Sequence, residues 1–204
     1  MTPARGDHDA RRLEVSEGVW RVLSTRGFEG LTLRAVAAEL GASTGLLTHY
    51  FPNKRALLSH ALEELDRRSG SRPRRTDPPG GTPPPAGLAQ LRAALLDVLP
   101  LGEADVADNR IWVGSWDVAL ADPELAGAHA ARYRRARAAL TDHVADAQRL
   151  GELPAGADPA ALAAGAQAFV LGLVVQALFA PEEFPAERQT ALLDAYLTGL
   201  AAGA

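Results

Sequence analysis

Hydrophobic residues recur at helical spacing near the N-terminus. Four of them lie at successive intervals of four, three and one, and so share one face of an α-helix: Val15, Val19, Val22 and Leu23. Gly27 follows this stripe and supplies the positive φ at which helices commonly end. The pattern therefore predicts an amphipathic first helix over residues 8–26.

Polar residues that favour helix starts divide the next stretch into three further helices. Thr32 is a good N-cap for one helix, and either Ser43 or Thr44 is a good N-cap for the next. Pro52 ends this short helix, because the residue before a proline avoids the α conformation. Asn53 is the natural N-cap of the last one. The predicted helices are 33–40, a short helix that ends before Pro52, and 54–70.

Residues 70–87 differ in composition from the rest of the chain. They hold six prolines and four glycines in eighteen positions, which favours a linker or a long mobile loop over any regular element. Arg72, Arg74 and Arg75 lie in this segment. They are expected to stay solvated rather than to contact phosphate, because like-charge runs in such segments usually remain disordered.

Helical patterns resume after this segment. Asp122–Pro123 and Asp158–Pro159 each mark a helix start, and Gly151 marks a helix end. Alanine and leucine carry the apolar content, and β-branched runs bounded by turn residues are almost absent, which predicts an all-α fold of about nine helices. The five helices predicted here are 88–98, 104–121, 123–151, 158–180 and 186–202.

A very short turn joins the two helices on either side of Gly41. Ala37, four residues earlier, is small enough to let two helices cross closely, whereas Leu40 and Leu47 fill the space between them. Gly41 takes the positive φ of the turn, which costs other residues about 1–2 kcal/mol. This is a helix-turn-helix arrangement. Its second helix is short enough to enter the major groove of DNA, about 12 Å wide.

The second helix of this motif lies in TGLLTHYFPNK and carries polar groups that a core helix would not. Leu47 and Phe51 lie four apart and are expected to face the core. Three residues have alternative interpretations: Tyr50 can cap the core of the motif, His49 can be a bystander, and Lys54 can be a solvated helix start. The candidate DNA-binding residues are Thr32, Arg34, Ser43, Thr44, Gly45, Thr48, His49, Tyr50 and Lys54.

These candidates have different expected roles. Thr44, Thr48 and His49 are predicted to lie on or near the face that would meet a groove. Tyr50 and Lys54 flank these side chains and are placed to reach phosphate oxygens. Thr32 and Thr44 lie at helix N-termini, where backbone N–H groups also favour a phosphate. Gly45 costs about 1 kcal/mol inside a helix. A close approach of the backbone to DNA, or to the first helix, would explain it.

Charge is distributed unevenly along the 204 residues. Residues 1–75 hold thirteen Lys and Arg against nine Asp and Glu, and the remainder holds eight against sixteen. This suggests an N-terminal part that meets a polyanion. The chain has no cysteine, which excludes disulfides and thiolate metal sites. The N-terminus has no apolar leader segment, so a cytoplasmic location is expected.

One segment is long and apolar enough to span a bilayer, residues 160–180. It is rich in alanine and glycine and carries Gln167 and Gln176. A helix that is apolar all round is equally well explained by burial in protein. No membrane association is therefore expected.

The stretch GFEGLTLRAVAAELGASTGLLTHYFPNKRALL resembles the N-terminal DNA-binding domain of the TetR family of transcriptional regulators, over about Val15 to Leu58. The C-terminal half is similar to a common ligand-binding domain of that family, through WDVALADPELAGAHAARYRRARAAL and the helix that ends VLGLVVQAL. The matching N-terminal residues are Gly27, Phe28, Leu31, Thr32, Val36, Ala37, Leu40, Gly41, Gly45, Phe51 and Lys54.

The resemblance implies a homodimer that binds a near-palindromic operator in double-stranded DNA. The last two helices would form a four-helix bundle with those of the mate. A small-molecule effector would bind in helices five to eight and change the spacing of the two recognition helices, and repression is the usual mode in this family. Many members carry tyrosine where this chain has Thr48, so either Thr48 or Tyr50 is the expected phosphate contact. No cofactor or metal is implied.

The resemblance and the pattern together give four expected parts of the chain. They are a helix-turn-helix DNA-binding domain (1–53), a connecting helix (54–70), a Pro- and Gly-rich linker or loop (71–87) and a larger helical domain for ligand binding and dimerisation (88–204).

The effector site is expected to have a largely apolar wall with a few polar groups. Trp112 and Trp116 lie four apart on predicted helix 104–121, where they can form core, pocket wall or dimer surface. Polar residues on the long C-terminal helices supply the remaining candidates. The candidate ligand-binding residues are Trp112, Trp116, His129, Tyr133, Gln167 and Gln176.

Two other classes of function are less well supported. The chain has no G-x-S-x-G, H-E-x-x-H or phosphate-loop motif of an enzyme. Asp142, His143 and Asp146 resemble metal ligands but fit a solvated helix surface. A TetR-like interaction protein without DNA binding fits Thr48 and the modest excess of N-terminal positive charge, since non-specific DNA affinity depends on phosphate neutralisation.

Overall fold

The computed structural model describes the backbone of residues 5–203 and the side chains of residues 13–203. Within this range the chain forms ten α-helices and no extended strand, which confirms the all-α prediction. The helices are α1 (Arg5–Arg26), α2 (Leu33–Glu39), α3 (Thr44–Tyr50), α4 (Lys54–Gly70), α5 (Leu88–Leu96), α6 (Glu103–Gly114), α7 (Trp116–Leu120), α8 (Pro123–Arg149), α9 (Pro159–Phe179) and α10 (Ala186–Ala201).

The predicted helix 104–121 is interrupted, so ten helices form where about nine were predicted. Helices α6 and α7 meet at Ser115, whose amide is shared between the carbonyls of Ile111 and Trp112 at 3.1 Å each. The Ser115 Oγ donates to the Trp112 carbonyl at 2.6 Å. Serine bonded to its own backbone competes with the regular helical pattern. The apolar spacing continues across Ser115, and for this reason periodicity does not reveal the break.

The predicted helix starts are confirmed at three positions. The side chains of Thr32, Ser43 and Asn53 each accept a hydrogen bond from the backbone N–H three residues later, at 3.0, 3.2 and 2.9 Å. Of the two alternatives for the third helix, Ser43 is the N-cap, and Thr44 is the first helical residue. Each cap satisfies a donor that the helix itself leaves free.

Helices α1 to α4 pack around one hydrophobic core together with a later segment of the chain. The chain up to Ser71 and the segment Arg110–Leu125 form a first compact unit. Its largest fully buried side chains come from α1, α3, α4, the turn after α1 and that later segment: Leu23, Leu31, Leu47, Leu57, Leu65 and Leu125. The end of α6, all of α7 and the start of α8 are therefore part of the same core as the helix-turn-helix motif.

A second compact unit contains Arg72–Asn109 and the chain from Ala126 onward. Helices α5, α9 and α10 pack against one another in it. The Arg92 guanidinium on α5 donates twice to the Asp194 carboxylate on α10, at 2.5 and 2.9 Å. Buried leucine and valine side chains fill the centre: Leu91, Leu95, Leu99, Val144, Val170, Val174 and Leu193.

The Pro- and Gly-rich segment after α4 is irregular, but its arginines have partners. Arg72 pairs with Asp105 at 3.1 Å and with Asp108 at 2.5 Å. Arg75 pairs with Asp97 at 3.1 Å. Both arginines remain partly exposed, as expected for a solvated segment, but the sequence did not predict their ion pairs. Acidic residues at the end of α5 and the start of α6 lie within reach and hold this part of the segment against the second unit.

Helix α9 is the only described helix that is long and apolar enough to cross a membrane by length and composition. Core helices of soluble proteins pass the same test. Only 39% of its most apolar eighteen-residue window is buried within the chain, so part of its apolar surface is left over after the monomer has folded.

Candidate functional site

The helix-turn-helix geometry is confirmed at its central positions. Gly41 has φ +60° and ends α2, and the Ala42 amide donates to the Ala37 carbonyl at 2.9 Å across the turn. Leu47 is fully buried and Phe51 is 6% exposed. These two side chains fix α3 against the core, which leaves its opposite face free to meet another molecule.

That opposite face of α3 is polar and exposed. The side chains of Thr44, Thr48 and His49 all face solvent. The Thr48 Oγ1 donates to the Thr44 carbonyl at 2.9 Å, which fixes the orientation of its hydroxyl and leaves its methyl group and lone pairs available. His49 meets Tyr50 edge-on with ring centroids 5.6 Å apart. The structure thus brings the predicted groove-facing residues together on one surface.

Tyr50 has a mixed environment. Its ring is half-buried and packs against the hydrophobic core of the first unit. Both roles weighed from the sequence, a cap on the core and a phosphate contact, are therefore compatible, because a tyrosine can bury its ring and still present its hydroxyl.

Four further candidates lie at helix starts around α3. The Thr32 and Ser43 hydroxyls already accept the cap hydrogen bonds of α2 and α3, so each has only its O–H left to donate to a phosphate. Arg34 is exposed in the first turn of α2, and Lys54 is exposed at the first position of α4. These residues frame α3 with donors and two cations.

Of the two glycines Gly18 and Gly45, Gly18 is the one that lies in close contact with a neighbouring helix. Among the described side chains, a Cβ at Gly45 would meet only the Ser43 Oγ, at 3.8 Å, so the suggested close approach of this glycine to α1 is not found in the described part of that helix. A Cβ at Gly18 would lie 2.7 Å from Leu40 Cδ2. Gly18 is thus the residue that lets α1 approach the end of α2. A glycine inside a predicted helix is the one sequence feature that points to this contact.

His60 on α4 is a structural residue that the sequence reasoning missed. Its Nε2 lies 3.0 Å from the Ser16 Oγ on α1, and its ring lies 5.1 Å from the Phe51 ring at the end of α3. The imidazole therefore connects the end of α3 with α1 through contacts that no local motif predicts.

A buried carboxylate connects α4 with α1. Glu64 is 4% exposed and accepts hydrogen bonds from Arg67 and Arg68 at 2.5–2.9 Å. Arg68 also reaches Glu17 at 2.5 Å and lies over the Trp20 ring at 4.5 Å. Burial alone would raise the pKa of Glu64, but the hydrogen bonds from the two arginines outweigh it and hold this pKa below its ordinary value.

The two tryptophans among the effector candidates belong to the first unit. Trp112 is half-buried and packs against the hydrophobic core. The Trp116 Nε1 is buried and has no hydrogen-bond acceptor in the described part of the chain. A buried indole N–H without a partner is costly, so this group marks a place where a ligand acceptor would be stabilised.

Three of the other effector candidates lie in the second unit and close to one another. His129 is 7% exposed, and its ring centroid lies 6.2 Å from that of Tyr133. Burial lowers the pKa of His129, which favours its neutral form. The buried Gln167 amide donates to the Tyr133 carbonyl at 3.2 Å and accepts from Arg137 at 3.1 Å. Gln167 is therefore already partnered by the protein.

Gln176 lies apart from these residues. Its side chain is exposed and lines an apolar groove of about 460 Å³ between α9 and α10. Phe184 and Arg188 lie at the same groove, with the guanidinium carbon of Arg188 5.2 Å from the centre of the Phe184 ring. The structure does not place Gln176 with His129 and Tyr133.

One basic residue adds to the electrostatics of α8. Burial lowers the pKa of the half-buried Arg132 guanidinium, and the nearby charge of Arg135 lowers it further. A cation that has lost part of its hydration is attracted to an anionic group.

No group of three or more His, Cys, Asp or Glu that could hold a metal occurs among the described residues.

Two family models account for most of the chain. Residues 10–61 match the bacterial regulatory proteins of the tetR family, and residues 87–202 match the C-terminal domain of BetI-type transcriptional repressors. The chain belongs to the TetR family of transcriptional regulators. The resemblance identified from the recognition helix is confirmed, and so is the likeness of the C-terminal half to a ligand domain of the family.

Curated relatives agree with this assignment over part of their length. The HTH-type transcriptional regulator PksA of Bacillus subtilis is 30% identical over 110 residues, which cover 54% of this chain and 52% of PksA. The HTH-type transcriptional regulator BetI of Stenotrophomonas maltophilia is 26% identical over 61% of this chain and 62% of BetI. The chain thus matches about half to three fifths of the length of these relatives.

Solved structures share the whole fold. A transcriptional regulator from Rhodococcus sp. RHA1 is 26% identical with a TM-score of 0.76, over 93% of this chain and 95% of the other. A regulator from Saccharomonospora viridis, solved in complex with choline, has a TM-score of 0.80 at 20% identity, over 94% and 96%. At that identity the second likeness establishes the fold alone.

Proposed function

We propose that this TetR-family protein is a ligand-responsive repressor that binds a near-palindromic DNA operator as a homodimer in the cytoplasm. The observation that carries the proposal is the polar, exposed face of α3, which is held against the core by Leu47 and Phe51. In this assignment Thr48 and His49 meet base edges in the major groove. Lys54 and Tyr50 meet phosphates, together with the N-termini of α2 and α3.

Dimerisation through α9 and α10 is supported by the surface of α9. Its exposed positions carry residues that are small or polar, at a spacing that places them along one side of the helix: Ala161, Gly165, Ala168, Gly172 and Gln176. Small residues allow the helices of two copies to approach closely. The 82% exposed Phe179 ends this surface and would be covered by a mate.

A small-molecule effector is the proposed signal. Trp112 and Trp116 offer aromatic faces, which attract quaternary ammonium groups. The BetI-type match of the C-terminal domain and the choline complex of the Saccharomonospora regulator make choline the first compound to test. Arg132 is a half-buried cation on the same helix as His129, so an aromatic carboxylate such as benzoate is the second compound. Within the second unit, His129 and Tyr133 are the candidate polar contacts.

The experiment that tests this function is a fluorescence-anisotropy titration against DNA from upstream of its own gene. Tight and sequence-selective binding that weakens steeply with salt is expected. Weak binding that is equal for every duplex would contradict the operator and favour an interaction protein that has kept the fold. Release of the bound operator by choline or benzoate would identify the effector class.

A further inference from the structure

One ion pair of the first unit joins the start of α4 to the start of α8. The Arg55 guanidinium lies 2.8 Å from the Glu124 carboxylate, and the two side chains are 58% and 66% exposed. Arg55 follows Lys54 directly in the first turn of α4. The pair thus holds a cation immediately beside the proposed phosphate contact.

The carboxylate side of this pair is fixed in place. The Asp122 carboxylate accepts hydrogen bonds from the amides of Glu124 and Leu125, at 2.9 and 3.3 Å, and so caps α8. Leu125 is 2% exposed and belongs to the same hydrophobic core as Leu57 of α4. The backbone that carries Glu124 is therefore held in the core that it shares with α4, and its carboxylate meets Arg55 in the first turn of α4.

We infer that Arg55 is a second phosphate contact of α4 and that Glu124 restrains it, so that DNA must compete with this carboxylate for the guanidinium. The inference rests on the proposed DNA-binding function. A solvent-exposed ion pair is weak enough for phosphate to displace it, because such pairs contribute little free energy. A guanidinium matches the geometry of a phosphate with two parallel donors. Glu124 therefore lowers operator affinity without closing the site.

The test is a double-mutant cycle on the full-length protein, with operator affinity measured by anisotropy at several salt concentrations. Glu124→Gln frees Arg55 and is expected to tighten binding about two- to fivefold for each half-site, the range set by a broken surface ion pair. Arg55→Gln added to Glu124→Gln is expected to remove this gain and to flatten the salt slope by about one for each half-site.

A matched control separates this effect from general electrostatics. Asp117→Asn removes the same charge from the first turn of α7 in the same unit and is expected to change affinity by less than Glu124→Gln does. Thermal melts of all variants establish that each one is folded. Glu124→Gln could also raise operator affinity equally in the wild type and in the Arg55→Gln variant. That result would overturn the inference, because the effect would then belong to the carboxylate charge alone.

The remaining outcomes are also decisive. Operator binding by the wild type with no gain in Glu124→Gln would overturn the role of Arg55 and leave the proposed function intact. Failure of the wild type to prefer any duplex would overturn the proposed function and this inference with it.

Discussion

Lys54 is an exposed cation at the start of a helix, next to the helix-turn-helix motif. It stands at the first position of α4, directly after the N-cap Asn53, and its ammonium group faces solvent. A positive charge at a helix N-terminus gains nothing from the helix dipole. The proposed function places this charge against a phosphate of the operator, and the end of the recognition helix lies only four residues before it.

Replacement of Lys54 tests this role at the residue scale. Lys54→Ala should weaken binding to every duplex by a similar factor and reduce the salt slope by about one for each half-site, since a phosphate contact carries no sequence information. Thr48→Ala is the matched change on the groove-facing side and should alter which operator is preferred. An unchanged salt slope in Lys54→Ala would refute the phosphate assignment.

Gly18 gives a second prediction at this scale. Gly18→Ala should destabilise the protein by about 1–2 kcal/mol, because the new methyl group lies 2.7 Å from Leu40 Cδ2 and the cost of overpacking exceeds the gain in helix propensity. Gly127→Ala on α8 is the control, since a Cβ there meets nothing within 4 Å and should stabilise by about 0.5–1 kcal/mol. Urea unfolding measures both. Equal stabilisation in the two variants would show that Leu40 moves aside freely.

At the scale of elements, α4 connects several parts of the first unit. Its buried Glu64 joins it to α1 through Arg68, and His60 joins it to the end of α3. Two regions of the chain that lie far apart in sequence complete the same core: α1 to α4, and the segment Arg110–Leu125. Helices α6 and α8 each contribute residues to both compact units. Both helices are therefore continuous from one unit into the other.

The buried carboxylate on α4 predicts a dependence of stability on pH. The pKa of Glu64 is lower in the folded state than in the unfolded state. Its contribution is therefore fully present above about pH 5 and is lost as pH falls through the lowered pKa. Glu64→Gln should cost about 1–3 kcal/mol at pH 7, because it removes charged hydrogen bonds to arginines that are partly exposed.

Chemical denaturation of wild type and Glu64→Gln between pH 7 and pH 3 measures this difference. The two free energies of unfolding should converge towards acid pH, whereas Glu63→Gln, an exposed neighbour on the same helix, should follow the wild type throughout. A difference that stays constant with pH would mean that the loss comes from packing and not from the charge.

At the scale of the whole molecule, the exposed small residues of α9 require explanation. A helix this apolar would normally be buried on most sides, yet only 39% of its most apolar window is buried in the monomer. The shallow groove between α9 and α10 adds further apolar surface, with Phe169 and Leu173 among its lining residues. A mate of the same sequence would cover both features with one two-fold interface.

Gly172→Glu tests that interface. A Cβ at this position meets no atom of the described residues within 4 Å, so the variant should fold, but a carboxylate between two packed helices should weaken the dimer strongly. Sedimentation velocity should show that the variant is a monomer. Fluorescence anisotropy should show that it no longer binds the operator. Gly127→Glu on α8 is the control and should remain dimeric. A dimeric Gly172→Glu would place the interface elsewhere.

The sequence by itself determined the local structure of this protein. Helix caps at Thr32, Ser43 and Asn53, the positive φ of Gly41 and the core positions Leu47 and Phe51 depend on residues within a few positions of one another. Such local constraints appear directly in residue type and spacing. The family resemblance of the recognition region follows from the same short-range pattern.

Only the tertiary structure decided the contacts between distant parts of the chain. It brought Arg110–Leu125 into the core of α1 to α4 and paired Arg55 with Glu124. It also placed Gly18 against Leu40 and paired Arg72 of the Pro-rich segment with Asp105. These contacts form between residues whose separation in sequence carries no periodic signal. They arise from the way whole helices pack. Burial of any complementary apolar surface is favourable, and the resulting packing determines which charged side chains meet.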